Sequence, residues 1–201
     1  MKYALISDVH GNLHALEAVM ADAKRRNVDH YIFLGDYIED LPWPNEVTEL
    51  LRCVENATII RGNKEDYLEN LRHDDRDGWT SEQFAPIYWN CRELTLDNYD
   101  YLTSLPDKAV ISTSDGRNIY LTHSSPIFFR SPRIERMHSS HYLTEMMKSP
   151  FTHAEYLERT RQEVLSRSDV MTELAQCRKG VHVFGHNHMQ WYYGERRCIS
   201  C

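Results

Sequence analysis

The sequence lacks several features that would place the protein in a membrane or on a nucleic acid. No apolar run approaches the ~20 residues of a membrane-spanning helix, and the apolar run at residues 2–7 is too short for a signal peptide. Acidic residues outnumber basic ones, since the sequence has 30 aspartates and glutamates and 23 lysines and arginines, for a net charge of -7. Nucleic acid is therefore disfavoured as a partner, since its binding rests on excess positive charge. We predict a cytoplasmic protein with no membrane partner.

The five cysteines give no sign of a disulfide framework. Their number is odd and they are scattered, whereas small secreted domains carry paired cysteines at high density. Cys198 and Cys201 form one CxxC pair, but the second pair of a zinc site is absent from the sequence. The 201 residues are 41% apolar, which suits one ordinary core. We predict a single domain over 1–201, with a helical elaboration at about 131–178.

Short apolar runs alternate with helical patterns in the first third of the chain. The run at 2–7 is followed by apolar residues at helical spacing, with Asn12 placed as the N-cap. The pattern repeats with a run at 31–34, a helix that starts near Asn45 and a run at 57–60. Strands that alternate with helices predict βαβ units and a largely parallel first sheet.

Later segments predict more helices, two hairpins and one further strand. Residues 66–106 are polar and mostly helical in character. Residues 108–122 contain two strand-like runs around a Ser-Asp-Gly-Arg turn, which predicts a hairpin. A strand is predicted at 181–184, and a terminal hairpin at 190–200.

Polar clusters follow the apolar runs at the points where the strands are predicted to end. Ligands of open α/β sheets collect beyond the carboxyl ends of the strands, so these clusters should converge on one rim. Seven side chains from the clusters make a mixed set of carboxylate, amide and imidazole donors: Asp8, His10, Asp36, Asn63, His123, His186 and His188. Such a set suits Mn, Fe, Co or Zn. It predicts a site for two divalent metal ions.

Asp36 is the predicted bridging ligand of this site. A carboxylate can join two cations held ~3.5 to 4 Å apart, and a water shared by those cations can lose its proton and attack phosphorus in line. The remaining ligands divide into Asp8, His10 and His188 for one ion, and Asn63, His123 and His186 for the other.

These motifs, in this order, resemble the signature of the calcineurin-like metallophosphoesterase superfamily. That signature is Asp-x-His, Gly-Asp, Gly-Asn-His with a following acid, a lone His and Gly-His-x-His, and the resemblance covers nearly the whole chain. Segments 7–12, 35–38 and 44–47 are similar to its small bacterial and archaeal phosphodiesterase branch. The resemblance implies an α/β fold in which two mixed β-sheets pack as a sandwich with helices on the outer faces, in four layers.

The chain departs from the family at Lys64, where the resemblance implies a histidine that contacts the leaving group. We expect Lys64, with Asn63, to bind substrate, by holding a phosphate oxygen or neutralising developing charge. Two nearby dications would lower the pKa of Lys64 and favour proton donation; the alternative is a solvated surface lysine. Glu65 keeps the family's acid and is predicted to orient a ligand or Lys64, although a first-turn helix acid would also explain it.

A second departure concerns phosphate binding. Related phosphatases carry an Asp-Arg pair where this chain has Glu39 and Asp40, so their phosphate-gripping arginine is missing at that place. Arg61, Arg130 or Arg133 could substitute for it.

We therefore expect a metal-dependent phosphoesterase with a dinuclear site and a bridging hydroxide. We expect its substrate to be a small phosphorylated molecule, hydrolysed at a phosphodiester bond. A Ser/Thr-type or nucleotide phosphatase stays open, because metal chemistry does not choose a substrate. A different class also stays open, in which the same fold serves as a non-catalytic protein-binding scaffold. Lost metal ligands would mark a scaffold, and here none of the seven is lost.

Overall fold

The computed structural model describes residues 1–72, 85–125, 177–186, 188, 191–193 and 198–200. The chain divides into two compact units, Met1–Ser124 with Val181–Cys201 and Ser125–Gly180. The helical elaboration predicted at 131–178 lies outside the described residues except for its last two. All the helices and strands given below belong to the first unit, and the single domain over 1–201 stays a prediction.

The first sheet is built from the predicted βαβ units. Its elements are β1 (Tyr3–Ile6), α1 (Leu13–Arg25), β2 (His30–Phe33), α2 (Pro44–Cys53) and β3 (Ala57–Ile59). The strands lie in the order β1-β2-β3, and both neighbouring pairs are parallel. The prediction of a parallel first sheet is confirmed.

Three helices and a second sheet follow. The helices are α3 (Asn63–Arg72), α4 (Ala85–Glu93) and α5 (Leu96–Ser104). The strands are β4 (Lys108–Ser112), β5 (Asn118–Thr122), β6 (Val181–Phe184), β7 (Trp191–Tyr193) and β8 (Cys198–Ser200). None of the described helices is long and apolar enough to cross a membrane.

The second sheet has the order β4-β5-β6-β8-β7 and mixes both strand directions. The β4–β5 and β7–β8 pairs are antiparallel, which confirms the two predicted hairpins, whereas β5–β6 and β6–β8 are parallel. The family resemblance implied two mixed sheets, but the three described strands of the first sheet are all parallel. The reason is that α1 and α2 are crossover helices, which return the chain to start the next strand in the same direction.

Apolar side chains of the described residues form two core clusters, because side chains alternate across each strand. Phe33 belongs to a cluster with apolar residues of the helices, such as Leu51 and Leu102. Its neighbour Ile32 belongs to another cluster, which combines first-sheet residues with second-sheet residues such as Leu121 and Val183. Each fully buried aliphatic side chain contributes about 1.5–3 kcal/mol to stability. The clusters hold the strand ends, and the loops that follow them, in fixed positions.

Asn12 caps α1 as predicted, and removal of this cap should lower the stability of the protein by a measurable amount. Its Oδ1 accepts a hydrogen bond from the backbone N–H of Ala15 at 3.1 Å. Asn12→Ala should lower the free energy of unfolding by about 1 kcal/mol, because the Ala15 N–H in the first turn of the helix loses its acceptor. Urea unfolding of the two proteins checks this value. Asn12→Ser keeps an acceptor and should lose much less; an equal loss in both variants would mean that the cap is not the cause.

Candidate metal centre

All seven predicted ligands lie in the segments that follow strand ends. Asp8 and His10 follow β1, Asp36 follows β2, and Asn63 begins α3 after β3. In the second sheet the ligands follow β5 and β6, and they are His123, His186 and His188. The carboxyl ends of parallel strands share one edge, so motifs that are far apart in the sequence lie close together in the fold.

Backbone hydrogen bonds tie these segments together. Beyond β1 and β2, the N–H of Asp8 donates to the Gly35 carbonyl at 3.0 Å, and that of His10 donates to the Asp36 carbonyl at 3.0 Å. The N–H of His186 donates to Asp8 Oδ2 at 2.9 Å, which joins a loop of the second sheet to a loop of the first. The ligands are therefore fixed to a continuous hydrogen-bonded frame.

The first ligand group consists of Asp8, His10 and His188, whose donor atoms lie within 4.8 Å of one another. His188 Nε2 is 3.1 Å from Asp8 Oδ1 and 3.2 Å from His10 Nε2. Two imidazole nitrogens and a carboxylate oxygen that face one point are suited to a shared cation, and this composition fits Mn, Fe, Co or Zn.

The second ligand group consists of Asp36, His123 and His186, again within 4.8 Å. His123 Nε2 is 3.3 Å from Asp36 Oδ2 and 3.2 Å from His186 Nδ1. Asn63 joins this group, because its Oδ1 lies 3.0 Å from His123 Nε2. The structure thus divides the seven residues as the sequence predicted.

Asp36 lies between the two groups. The same Oδ2 atom that is 3.3 Å from His123 Nε2 is 3.9 Å from His10 Nε2, which belongs to the other group. Its second oxygen, Oδ1, accepts a hydrogen bond from the backbone N–H of Lys64 at 2.9 Å. The carboxylate is therefore held by one oxygen and presents the other to both groups, as a bridging ligand requires.

Two of the imidazoles have a neighbouring oxygen at the nitrogen that faces away from the other ligands. His123 Nδ1 is 2.7 Å from the Leu34 carbonyl, which fixes the proton on that nitrogen and leaves Nε2 to face the site. This hydrogen bond sets the orientation of the ring and strengthens it as a ligand. His10 Nδ1 is 3.0 Å from Asp40 Oδ2, without hydrogen-bond geometry, so a carboxylate lies behind this ring.

The pKa values show how strongly charge is concentrated here. Burial acts to raise the pKa of Asp8, but the nearby imidazoles of His10 and then His188 outweigh it and hold the pKa well below its usual range. Burial acts to lower the pKa of His123, but the Asp36 carboxylate raises it to about 9. The Asp36 carboxylate thus favours positive charge at His123, and a bound cation would replace that proton.

Backbone strain is also concentrated here. Nine described non-glycine residues have a positive φ, and seven of them lie in or beside the two ligand groups: Asp8, His10, Asp36, Glu39, Asp40, His186 and His188. Each such residue costs about 1–3 kcal/mol and persists only where its surroundings enforce it. Strain gathered in one place in this way is typical of a functional site.

Glu65 is fully buried and braces the backbone around Asp36. Its carboxylate accepts hydrogen bonds from the N–H groups of Gly62 at 2.8 Å, Tyr37 at 2.9 Å and Asp36 at 3.0 Å. Burial, followed by the Asp36 charge, raises the pKa of Glu65 to about 7, and the three N–H donors oppose that rise. Glu65 is a first-turn acid of α3, as the alternative predicted, and its hydrogen bonds also support a role in orienting Asp36.

Lys64 does not match a solvated surface lysine. Its side chain is 19% exposed, and its Nζ lies 3.2 Å from Glu39 Oε1. The ammonium also lies 5.7 Å from the centre of the Tyr67 ring. Burial acts to lower the pKa of Lys64, but the Glu39 carboxylate outweighs it and raises the pKa above its usual value. The protein's own charges therefore act against the lowering expected from two dications.

Sequence reasoning missed the partners of Lys64 and His10. Glu39 and Asp40 were noticed only as a departure from an Asp-Arg pair, because nothing in their spacing indicates which side chains they face. Arg61 is paired elsewhere, with Asp107, Glu69 and Asp66. It is thus not free to bind phosphate, and Arg130 and Arg133 lie outside the described residues.

An α/β fold with two groups of carboxylate and imidazole side chains at its strand ends defines a metal-dependent hydrolase. The chain belongs to the calcineurin-like phosphoesterase family, whose model matches residues 1–194. Members of this family use divalent metals to hydrolyse phosphoric esters. The family resemblance predicted from the motifs is confirmed.

Individual relatives support the same fold. The uncharacterized protein MJ0912 of Methanocaldococcus jannaschii is 32% identical over 123 residues, which are 61% of this chain and 49% of that protein. The matched stretch therefore spans about half the length of this curated relative. A metallophosphoesterase from Sphaerobacter thermophilus superposes with a TM-score of 0.57 at 23% identity, covering 100% of this chain and 75% of that one. The protein PH1004 of Pyrococcus horikoshii OT3 superposes with a TM-score of 0.64 at 16% identity, covering 98% of this chain and 75% of that one.

Proposed function

We propose that the protein is a metallophosphoesterase with a dinuclear metal centre, and that it hydrolyses phosphodiesters. The observation that carries this proposal is the position of Asp36 Oδ2, 3.3 Å from His123 Nε2 and 3.9 Å from His10 Nε2. One carboxylate oxygen thereby serves both ligand groups, which is the arrangement of a two-metal site. Metal ions held there would polarise phosphate oxygens and activate a water nucleophile.

The chain's own residues hold the ligands ready for this chemistry. Glu65 fixes the backbone of Asp36 by accepting its N–H. The Lys64 N–H fixes one carboxylate oxygen of Asp36. The Leu34 carbonyl orients the imidazole of His123, and the Asp40 carboxylate lies 3.0 Å from His10 Nδ1. Ligands fixed in this way need little reorganisation when an ion or a substrate binds.

The charges around the site support a diester substrate rather than a monoester. Asp8, Asp36, Glu39 and Asp40 place four carboxylates in or beside the ligand groups. Lys64 is paired with Glu39, and Arg61, two residues before Asn63, is paired with acids elsewhere. A phosphodiester carries one negative charge and a monoester carries up to two near neutral pH. Two bound dications would offset the four carboxylates, so the support for a diester is that Lys64 and Arg61 are both already paired and neither is left to bind the second charge of a monoester dianion.

Hydrolysis of a matched pair of substrates tests the proposal. We expect the purified protein to contain two metal equivalents and, with Mn²⁺, to cleave bis(4-nitrophenyl) phosphate faster than 4-nitrophenyl phosphate. A chelator should remove both the metal and the activity. Faster monoester turnover would instead support a phosphatase of the Ser/Thr or nucleotide type. Bound metal without turnover of either compound would support a protein-binding scaffold.

We also propose that the two sheets pack face to face with helices outside. The support is the cluster in which Ile32 and Ile60, at β2 and β3, contact apolar residues of β5 and β6. The opposite side of β2 contributes Phe33 to the cluster that contains the helices. A sheet with one face on a second sheet and the other on helices is one half of a four-layer sandwich.

A further inference from the structure

The loop that follows Asp36 continues into a short apolar segment at residues 41–44, with the sequence Leu-Pro-Trp-Pro. Leu41 is 38% exposed, and the side chain of Trp43 is half-buried. Proline fixes its own φ and restricts the residue before it, so the two prolines stiffen the backbone of Leu41 and Trp43 as well. The segment therefore exposes apolar side chains on a backbone with little freedom.

Helix formation does not explain the tryptophan in this segment. Trp43 is the N-cap residue of α2, and its side chain makes no cap hydrogen bond. Serine, threonine, aspartate or asparagine would stabilise the helix at this position, because their side chains accept a first-turn N–H. Burial does not explain the residue either, since part of its side chain stays exposed. A large aromatic side chain kept in such a place is typical of a binding surface.

The segment lies beside the first ligand group of the metal centre. The Leu41 N–H donates to the carbonyl of the ligand His10 at 3.1 Å. A side chain at Gly11 would clash with the Leu41 carbonyl, so the two chain segments pack closely. The contact continues to His14, whose imidazole meets the Trp43 ring edge to face at 4.8 Å between the ring centres. The two segments thus run against each other from a metal ligand to the aromatic pair.

Charged side chains leave little for substrate binding besides the metal ions. Lys64 and Arg61 are the described cations nearest in sequence to the ligand Asn63, and both are paired with acids. His188, a ligand of the first group, is 57% exposed, so a substrate can reach this group from solvent. An apolar segment tied to the same group is therefore well placed to contact the organic part of the substrate.

We propose that Trp43, held by His14 and flanked by Leu41, binds a flat aromatic ring that the substrate carries next to its phosphate group. This inference rests on the proposed function. Rings of many types stack on tryptophan, and one stacked base contributes about 10- to 100-fold in affinity. The prolines lower the cost of binding, because a segment that is already rigid loses little freedom when a ring docks on it. The surface selects aryl or nucleotide esters over alkyl phosphates.

The binding of two phosphonates tests this surface without any hydrolysis. Phenylphosphonate and methylphosphonate carry the same phosphonate group on a phosphorus–carbon bond, and only the first has a ring. We expect the Mn²⁺-loaded wild-type protein to bind phenylphosphonate about 10-fold more tightly, as measured by isothermal titration calorimetry. Trp43→Ala should bind both compounds equally, whereas Trp43→Phe keeps a ring and should retain most of the preference. Equal binding to the wild type, or an unchanged preference in Trp43→Ala, would overturn the proposal.

Further variants separate ring binding from a general loss of structure. Trp43→Ser removes the ring and supplies a preferred N-cap, so it should keep its fold and metal content while it loses the preference. Leu41→Ala should lower the preference about threefold, because it removes part of the apolar surface. Leu96→Ala removes another exposed leucine, in α5, and should leave the preference unchanged. Equal effects of the two leucine variants would contradict the assigned surface.

Kinetics connect this surface with turnover. For bis(4-nitrophenyl) phosphate, Trp43→Ser should raise KM about 10-fold and change kcat by less than about twofold, since the ring is bound equally before and during the reaction. A lower kcat at an unchanged KM would contradict the proposal. Competition by adenosine 5′-monophosphate and by ribose 5-phosphate identifies the source of the ring: a stronger nucleotide indicates a base, and equal competition indicates an aryl ester. Should the wild-type protein hydrolyse nothing, the proposed function fails, and the phosphonate preference still decides the inference.

Discussion

Asp36→Asn is expected to lose at least about 10³-fold in kcat, together with part of the bound metal. The substitution keeps the size of the side chain and removes its negative charge. That charge is what lets Oδ2 serve both ligand groups, at 3.3 Å from His123 Nε2 and 3.9 Å from His10 Nε2. The neutral amide also presents an NH₂ group to one of its partners. Steady-state kinetics and metal analysis of the purified variant check both losses.

The control for this variant is another aspartate on the same chain. Asp97 is exposed in the first turn of α5, and Asp97→Asn should leave turnover and metal content unchanged. Circular dichroism of the two variants should match the wild type if the fold is intact. An Asp36→Asn protein that keeps its activity would remove Asp36 as the bridging ligand and, with it, the main support for the dinuclear site.

The proximity of the seven candidate ligands could be predicted from sequence because it depends on local features. Each ligand follows an apolar run that forms a strand, and parallel strands bring their carboxyl ends to one edge. Asp36 and Asn63 are far apart in sequence, yet both were assigned to the site from the runs that precede them. The N-cap at Asn12 was predictable for the same reason, since its acceptor and donor lie in one turn of helix.

The second layer of contacts could not be predicted in this way. Lys64 and Glu39 are separated by α2 and β3, and their pairing depends on how the loops after β2 and β3 meet. Tyr37 is fully buried, and its hydroxyl donates to the Ile60 carbonyl at 2.6 Å and accepts from the Gly35 N–H at 2.9 Å. Periodicity indicates which residues are buried, and it does not indicate which polar atoms they meet.

The strain at the site and the hydrogen bonds around it are two parts of one arrangement. Asp36 has a φ of 56°, so its backbone would relax if its surroundings allowed it. Its N–H is held by Glu65 and its carbonyl accepts the N–H of His10 at 3.0 Å. The fold therefore maintains the position of the Asp36 carboxylate through backbone contacts, and one of these comes from the buried Glu65 side chain.

Glu65→Ala is accordingly expected to lower the free energy of unfolding by about 3 kcal/mol or more. Three buried N–H groups, of Asp36, Tyr37 and Gly62, lose their acceptor, and each unsatisfied donor costs about 1–3 kcal/mol. Urea unfolding should be followed with chelator present, because a bound ion would stabilise the folded state and mask part of the loss. Glu55→Ala is the exposed control and should change stability by less than about 0.5 kcal/mol.

Glu65→Gln distinguishes hydrogen bonding from packing at this position. Glutamine fills the same volume, but its NH₂ group must face at least one N–H that the carboxylate accepted. We expect a loss smaller than that of Glu65→Ala and well above the control, because both carboxylate oxygens accept backbone N–H groups. A Glu65→Gln protein as stable as the wild type would show that volume alone matters. The expected loss would instead show that the buried Glu65 carboxylate stabilises the loops that carry Asp36 and Asn63 through its hydrogen bonds.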